Sequence, residues 1–286
     1  MLEMLLNPRK AERKPWEMFF VGTFYSILSI LLVHWLFSEN PVFSEYSSIL
    51  LITFMVMLSM PFVFFIFKIE EKRDYEKGIR KKLFGSHKKA VLSLTWLFIG
   101  FVFGLSLMFI TFPSLVGHSM DAPLKQYCLI NYPSQYDGCI TKYEGQLNNK
   151  FEGFVINDHA IDVLTNNIYV LIFCLIFSIL FGAGAVFVLA WNASIIATAI
   201  WIFSKSSIEK FPAAFGRYMI HGIPEIAAYF VAALSGGIIG ISLIRYDIKD
   251  KRFLETLKDS INLMAIAIAI LIVAALIEAY ITPLLF

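Results

Sequence analysis

Long runs of apolar residues, separated by short polar segments, dominate this chain. A helix needs roughly 20 apolar residues to cross a hydrocarbon core about 30 Å thick. The runs reach that length several times over, which indicates an integral membrane protein. The pattern predicts an all-α, polytopic transmembrane helix bundle of about seven spans, at residues 16–37, 49–67, 90–112, 168–190, 193–213, 219–243 and 261–281.

The fourth and fifth spans are the least regular part of this pattern. Residues 168–203 are continuously apolar, and at about 1.5 Å per residue they are too long for one crossing. We place the corner at Trp191-Asn192, where a polar side chain follows an interfacial indole. The second half of 193–213 is weakened by Lys205, Glu209, Lys210 and Pro212, so this segment either crosses the membrane or re-enters as a half-helix.

Lysine and arginine residues set the predicted topology, because cytoplasmic loops are enriched in them. The segments 9–14, 68–89 and 245–260 are basic, whereas 38–48 has no Lys or Arg. This predicts a cytoplasmic N-terminus and an external C-terminus in the plasma membrane. It divides the chain into a two-span hairpin with a basic linker (1–89) and a five-span core (90–286) with an external loop at 114–167.

The composition supports this class and excludes little else. Hydrophobic residues make up 58% of the chain and charged residues 16%, against about 25% charged in average soluble proteins. The formal net charge of +2 gives no reason to expect nucleic acid as a partner. The lipid bilayer is the partner that the sequence indicates directly.

Two of the three cysteines lie in the long polar segment. Ten residues separate Cys128 from Cys139, and they include Pro133 and the turn signal Asp137-Gly138. An external loop can meet an oxidising environment, so we predict a disulfide there, with two unpaired thiols as the alternative. Cys174 lies inside a span and is interpreted as a small hydrophobic residue.

Three ionisable side chains interrupt the last two spans. Such a residue near a bilayer centre costs about 2.5–3.5 kcal/mol on insertion scales, and it usually faces protein or water and marks a site. His221 and Glu225 are four residues apart, hence on one helix face, and Glu278 is expected at similar depth near the outer leaflet. The remaining members of the predicted polar cluster are Asn167, Asn192 and Arg217.

Small residues in the sixth span indicate close helix packing. Gly236 and Gly240 form a G-x-x-x-G pattern, which permits two helix backbones to approach closely. The partner helix belongs either to the same chain or to a second copy in a homodimer.

These motifs, in their order along the chain, resemble the stage II sporulation protein M family of integral membrane proteins. The resemblance covers residue 90 to the C-terminus, so spans one and two look like an addition to a five-span core. Asn192 departs from the family's Asn-Gly pattern, since Ala193 follows it. The matching pieces are His221-Gly222-x-x-Glu225, Asn166-Asn167, the glycines of span six and Glu278-x-x-x-Thr282-Pro283. In sporulating bacteria the resemblance implies a scaffold for peptidoglycan-remodelling partners; most members have no assigned activity.

Three functions fit this sequence. The first is a scaffold or assembly protein, with membrane or cell-envelope partners, in which the polar cluster ties helices together. The second is a transporter or permease-like protein that uses His221, Glu225 and Glu278 as an ion, proton or metal site. The third is an intramembrane metal-dependent hydrolase, in which these residues bind zinc; one His and two carboxylates are a less usual zinc set, and we expect no cofactor.

Overall fold

The structure, a computed structural model, describes residues 14–77, 83–132, 135–145, 160–181, 185–204, 207–247 and 249–285. Within these ranges the fold is all-α, as predicted, with no strand. The helices are α1 (Met18–Phe37), α2 (Pro41–Glu45), α3 (Ser47–Lys77), α4 (Leu83–Thr111), α5 (Pro113–Val116), α6 (Asp121–Asn131), α7 (Tyr136–Gly145), α8 (Ala160–Phe181), α9 (Ala185–Ser204), α10 (Phe211–Arg245), α11 (Lys251–Leu276) and α12 (Thr282–Leu285), with a π-helical turn at Ile277–Ile281.

Six of the described helices are long and apolar enough to cross a membrane, and α8 adds a shorter apolar stretch at Leu164–Leu180. These seven helices correspond to the seven predicted spans, and the chain is a multi-pass membrane protein. The structure does not describe the predicted basic residues 9–13 or residues 182–184, nor the side chains of residues 67–87.

The predicted corner at Trp191-Asn192 is wrong. Both residues lie inside α9, and the two helices end and begin on either side of residues 182–184, whose sequence is Gly-Ala-Gly. Asn192 does not break the helix, because its Nδ2 donates to the carbonyl of Val188 one turn earlier, at 2.8 Å. Because α9 continues unbroken to Ser204, a half-helix starting at residue 193 is not formed.

Glycines allow α1 and α4 to pack backbone to backbone. A Cβ on Gly22 would overlap the carbonyl oxygen of Leu97, and one on Gly100 would overlap that of Phe19. Thr23 adds a hydrogen bond from its Oγ1 to the Gly100 carbonyl at 3.3 Å. These contacts fasten the N-terminal hairpin to the rest of the bundle.

A second glycine contact joins α8 and α10. A Cβ on Gly236 would overlap the carbonyl oxygen of Leu175, and one on Gly240 would approach that of Ile179 just as closely. The G-x-x-x-G surface is therefore filled by α8 of the same chain. The intramolecular alternative accounts for the pattern, and a homodimer through these two glycines stays a prediction.

The pairing contacts also give helix directions. Leu97 meets Gly22 and Gly104 meets Ser26, so α1 and α4 run in parallel. The helices α8 and α10 are parallel too, because Asn167 bonds to Glu225 near their beginnings and the glycine contacts follow further along both. By contrast α11 is antiparallel to α10, since Ser235 bonds to Ser260 and His221 lies beside Glu278.

Aromatic contacts relate these pairs to each other. The ring of Phe103 in α4 lies 5.1 Å from that of Phe19 at the start of α1 and 5.6 Å from that of Phe211 at the start of α10. Ile49 at the start of α3 lines an apolar cleft with Phe177 of α8 and Phe187 of α9. Hence α1, α4, α8 and α10 run in one direction, and α3, α9 and α11 run in the other.

This arrangement reverses the predicted directions of the last four spans. Since α4 and α8 point the same way, the segment between them has to lead the chain back along the bundle. Part of that return is α6, whose Cys128 and Leu124 pack with Ala199 of α9. The expected external loop 114–167 is therefore partly built into the helix packing. The start of α1 and the end of α11 lie at the same end of the bundle, and the side of the membrane on which each terminus lies stays a prediction.

The glycine contact between α8 and α10 leads to a first prediction, which concerns the free energy of unfolding. Gly236→Ala places a methyl group against the Leu175 carbonyl, and we expect a loss of about 1–3 kcal/mol from overpacking. Thermal unfolding of the detergent-solubilised protein measures this loss.

Gly222→Ala is the matched control in the same helix. Its added Cβ would meet only Met219 Cε, at 3.7 Å, so both variants gain helix propensity but only one gains a clash. Equal melting temperatures for the two variants would show that α8 and α10 are not in backbone contact.

Candidate functional site

The predicted polar cluster forms around a pair of carboxyl groups. Glu225 of α10 is buried, at 8% exposure, and its carboxyl group hydrogen-bonds to that of Glu278 in the π-helical turn. Because ionised carboxylates are acceptors only, a hydrogen bond between two carboxyl groups requires a proton on one of them. The structure thus brings together the two acids that the sequence places in different helices.

Asn167 connects this pair to a third helix. Its Nδ2 donates to Glu225 Oε1 at 2.7 Å, and its Oδ1 faces the Nδ2 of Asn166 at 3.5 Å. The Asn167 side chain is buried in α8, so this bond replaces water for both groups. The predicted assignment of Asn167 to the cluster agrees with this geometry.

His221 lies one helical turn before Glu225 and bridges two positions of the C-terminal segment. Its Nε2 is 4.0 Å from Glu278 Oε1, and its Nδ1 is 3.2 Å from Thr282 Oγ1. Because the Thr282 hydroxyl donates to the Ile277 carbonyl at 3.2 Å, it accepts from Nδ1–H. This network assigns the Nδ1–H tautomer and leaves Nε2 facing the carboxyl pair.

Glu278 owes its position to an irregular backbone. Residues Ile277–Ile281 form a π-helical turn, and the bond from Thr282 to Ile277 spans its five-residue spacing. Such turns are rare and occur frequently at functional sites. Sequence periodicity could not reveal this turn, because an α-helical register was assumed up to residue 281.

Arg217 lies at the edge of the cluster. Its guanidinium stacks on the ring of Phe203 at 4.9 Å, and it is close enough to His221 to interact electrostatically. Asn192, by contrast, is not part of the cluster. Its hydrogen bond is to Val188 in its own helix, and among the described residues it has none to the carboxyl pair.

A group of tyrosines, which the sequence analysis missed, adjoins the cluster. Tyr127 of α6 hydrogen-bonds to Tyr218 of α10 and to Tyr132, and the Tyr218 ring centroid is 6.2 Å from that of His221. Burial raises the pKa of Tyr143, the next tyrosine in this group, to about 12, so its hydroxyl remains a donor. The aromatic content of segment 127–143 was the available signal.

The predicted disulfide holds this tyrosine segment together. Cys128 of α6 and Cys139 of α7 are bonded, with their Cα atoms 5.8 Å apart, and both are buried. Cys174 is a buried free thiol, as its interpretation as a small hydrophobic residue requires. The bond confirms the disulfide prediction.

Metal ligation requires a different arrangement from the one observed. The described part of the chain contains no group of three or more His, Cys, Asp or Glu side chains that could hold a metal ion. His221 and the two acids are instead bonded to Thr282, Asn167 and each other. The chemistry that this arrangement offers is the binding and sharing of protons.

Comparison with known proteins identifies relatives of the core region. Residues 90–283, more than half of the chain, match the family described as "Stage II sporulation protein M". An uncharacterised protein of Methanocaldococcus jannaschii is 34% identical over 124 residues, which cover 42% of this chain and 69% of the relative. No solved structure matches the chain significantly.

The bond between Asn167 and Glu225 leads to a second prediction. Asn167→Leu removes the donor to a buried carboxyl oxygen, and we expect a destabilisation of about 1–3 kcal/mol. The measurement is thermal unfolding in detergent, with Asn192→Leu as control. Asn192 is half-buried and bonds only within its helix, so its replacement should cost less. A larger loss for Asn192→Leu would contradict this account of the cluster.

The disulfide leads to a third prediction. Cys128→Ser opens a loop closed over 11 positions, and the chain-entropy model predicts a loss of roughly 3 kcal/mol in the stability of α6 and α7. Hydrogen exchange of residues 121–145 should therefore accelerate. Cys174→Ser, which removes a thiol but no cross-link, is the control. Unchanged exchange in Cys128→Ser would show that packing against α9 alone holds α6.

Proposed function

Because the chain belongs to the stage II sporulation protein M family, we propose that it is a multi-pass membrane scaffold that holds other membrane or cell-envelope proteins in position. The observation that carries this proposal is the way in which the cluster's polar groups bond to one another across helices. Asn167, Glu225 and Glu278 come from α8, α10 and the end of α11, and they form one continuous network.

Such a network suits a scaffold, because buried polar contacts select one helix arrangement among many apolar ones. Lipid provides no hydrophobic driving force between helices, so apolar contacts alone leave their mutual register weakly defined. A fixed register keeps the connecting segments at the bundle ends in a constant geometry. Partners that bind those segments would then meet a rigid surface.

The proposed orientation follows from charge and from the helix directions. The basic segments at 9–14 and 68–89 favour a cytoplasmic N-terminus in the plasma membrane. The end of α11 lies at the same end of the bundle as the start of α1, so we place both on the cytoplasmic side. The disulfide fits this placement if α6 and α7 are reached from the external side.

A transporter coupled to protons is the second candidate, and one observation favours it. The Glu278 side chain is 32% exposed, so the protein does not fully enclose the carboxyl pair. Intramembrane acids of this kind occur in proton relays. The third function, a metal-dependent hydrolase, gains no support from the described ligand geometry.

Proteoliposomes loaded with a pH-sensitive dye distinguish these functions. For a scaffold, we expect proton flux under an imposed pH gradient to equal that of empty liposomes, for both the wild type and Glu225→Gln. Flux through the wild type that Glu225→Gln abolishes would favour the transporter.

The scaffold also has a positive test. We expect native complexes extracted from membranes to keep their size and composition in Glu225→Gln, because the amide preserves the bond network. Wild-type protein that is extracted from membranes without any bound partner protein would contradict the scaffold proposal. Gly236→Ala, which disturbs the register of α8 and α10 without touching the cluster, should reduce complex formation.

A further inference from the structure

The apolar cleft between α3, α8 and α9 opens at the surface of the bundle. Its volume is about 340 Å³, which lies within the range of pockets that hold small molecules. Six described side chains line it, all hydrophobic and four of them aromatic: Ile49, Phe173, Phe177, Phe187, Val188 and Trp191. Since none of these six carries a charge, the lining matches an uncharged, apolar occupant.

The position of the cleft in the helices places it within the hydrocarbon layer. Its lining residues belong to the apolar stretches Ser47–Phe64, Leu164–Leu180 and Val186–Ser204. Phe177 lies four residues before the end of α8 at Phe181, hence about 6 Å from it along the helix axis. The cleft therefore lies in the leaflet on the side where α8 ends, opposite to the start of α1.

The rim of the cleft is continuous with the surface of the bundle that faces lipid. The rim residues Ile49, Phe173 and Phe187 are 48%, 53% and 38% exposed. Val188 and Trp191 are half-buried and pack against the hydrophobic core, so they form the floor. A molecule of the surrounding bilayer can enter the cleft from the side.

The size of the cleft distinguishes a lipid chain from a partner helix. One turn of an α-helix is about 10 Å wide and 5.4 Å long, so it occupies roughly 400 Å³. This exceeds the whole volume of the cleft, about 340 Å³. A hydrocarbon chain, which is a single row of methylene groups, is far narrower than a helix and fits within it.

A chain in this cleft is held more firmly than lipid elsewhere on the bundle. Lipid is as apolar as the side chains it touches, so van der Waals contact decides where a chain stays. Such contacts are individually small and add up with their number. A single outward helix face contacts a chain from one side, whereas the cleft contacts it from three helices.

An occupant of the cleft would touch two different parts of the chain at once. Helix α3 precedes residues 90–283, which match the family, whereas α8 and α9 lie within them. A molecule that binds only the folded state stabilises that state. Lipid in the cleft would therefore strengthen the association of α3 with the family core.

We propose that the apolar cleft is a lipid site, in which α3, α8 and α9 hold one hydrocarbon chain of a bilayer lipid from the leaflet at the end of α8. The site recognises the chain and not the headgroup, because its lining is apolar. This site goes beyond the proposed scaffold role and does not depend on it.

The test uses the full chain in lipid nanodiscs that contain a trace of phospholipid with a photoreactive diazirine on one acyl chain. After irradiation, peptide mass spectrometry gives the extent of labelling at each residue. We expect labelling of the cleft residues to be about tenfold above that of Ile261 in α11. This ratio corresponds to a preference of about 1.4 kcal/mol over the surrounding lipid.

Ile261 is the reference because it lies at the same depth but outside the cleft. Ser235 of α10 bonds to Ser260, and Gly236 approaches Leu175, so Ile261 is level with the middle of the cleft's α8 wall. Its side chain is 61% exposed, and it is not among the lining residues.

Two variants fill the cleft from different helices. Ile49→Trp enlarges a rim residue of α3, and Val188→Phe enlarges the floor from α9. We expect each to lower labelling of the cleft about tenfold, to the level at Ile261. Ile261→Trp makes the same change as Ile49→Trp at equal depth outside the cleft, and it should leave labelling of the cleft unchanged.

Three results would overturn the lipid site. Equal labelling of the cleft and Ile261 in the wild type would show only ordinary contact with the bilayer. Labelling of the cleft below that of Ile261 would show that protein, such as a second copy of the chain, covers it. Labelling that persists in both filling variants would show that the lipid lies elsewhere. None of these results measures partner complexes, so the scaffold proposal is tested separately.

Discussion

In a bundle of apolar helices, each buried polar side chain has to find its hydrogen-bond partner inside the protein, and this constraint shapes the site described above. The amide of Asn167, the carboxyl pair and the imidazole of His221 meet it together. No one of them could be buried singly at tolerable cost. Their mutual satisfaction decides how α8, α10 and the end of α11 are placed.

Glycine contacts make this arrangement reachable. Two helix pairs, α1 with α4 and α8 with α10, approach until a single added carbon would meet a backbone carbonyl. Close approach along α10 brings Asn167 within 2.7 Å of Glu225. Backbone packing at one end of this helix pair and polar bonding at the other therefore support each other.

Much of this was readable from the sequence, for identifiable reasons. Membrane helices are recognised by their length and apolar content. The order of His221, Glu225 and Glu278, with small residues nearby, indicated both the cluster and the family. The disulfide followed from the turn signals between Cys128 and Cys139. These predictions depend on local features of the sequence, which are the same however the helices pack against one another.

Helix direction was not readable, because it depends on how the chain returns along the bundle between α4 and α8, which the apolar pattern does not show. Residues 245–260 contain five basic side chains, which predict a cytoplasmic loop, whereas the helix directions put this loop at the opposite end of the bundle from the start of α1. The return through α6 is too short and too polar to register as a span. The corner at Asn192 failed for a different reason: its amide is satisfied by Val188, so the helix continues through it.

The length of α10 has a consequence of its own. Its 35 residues extend over about 52 Å, whereas the hydrocarbon layer is about 30 Å thick. A helix with such hydrophobic mismatch tilts, or stands out of the bilayer, by an amount that depends on the lipids around it. His221 and Glu225 lie on this helix, while Asn167 and Glu278 lie on its neighbours. The length of the lipid chains therefore affects how the two carboxyl groups are placed relative to each other.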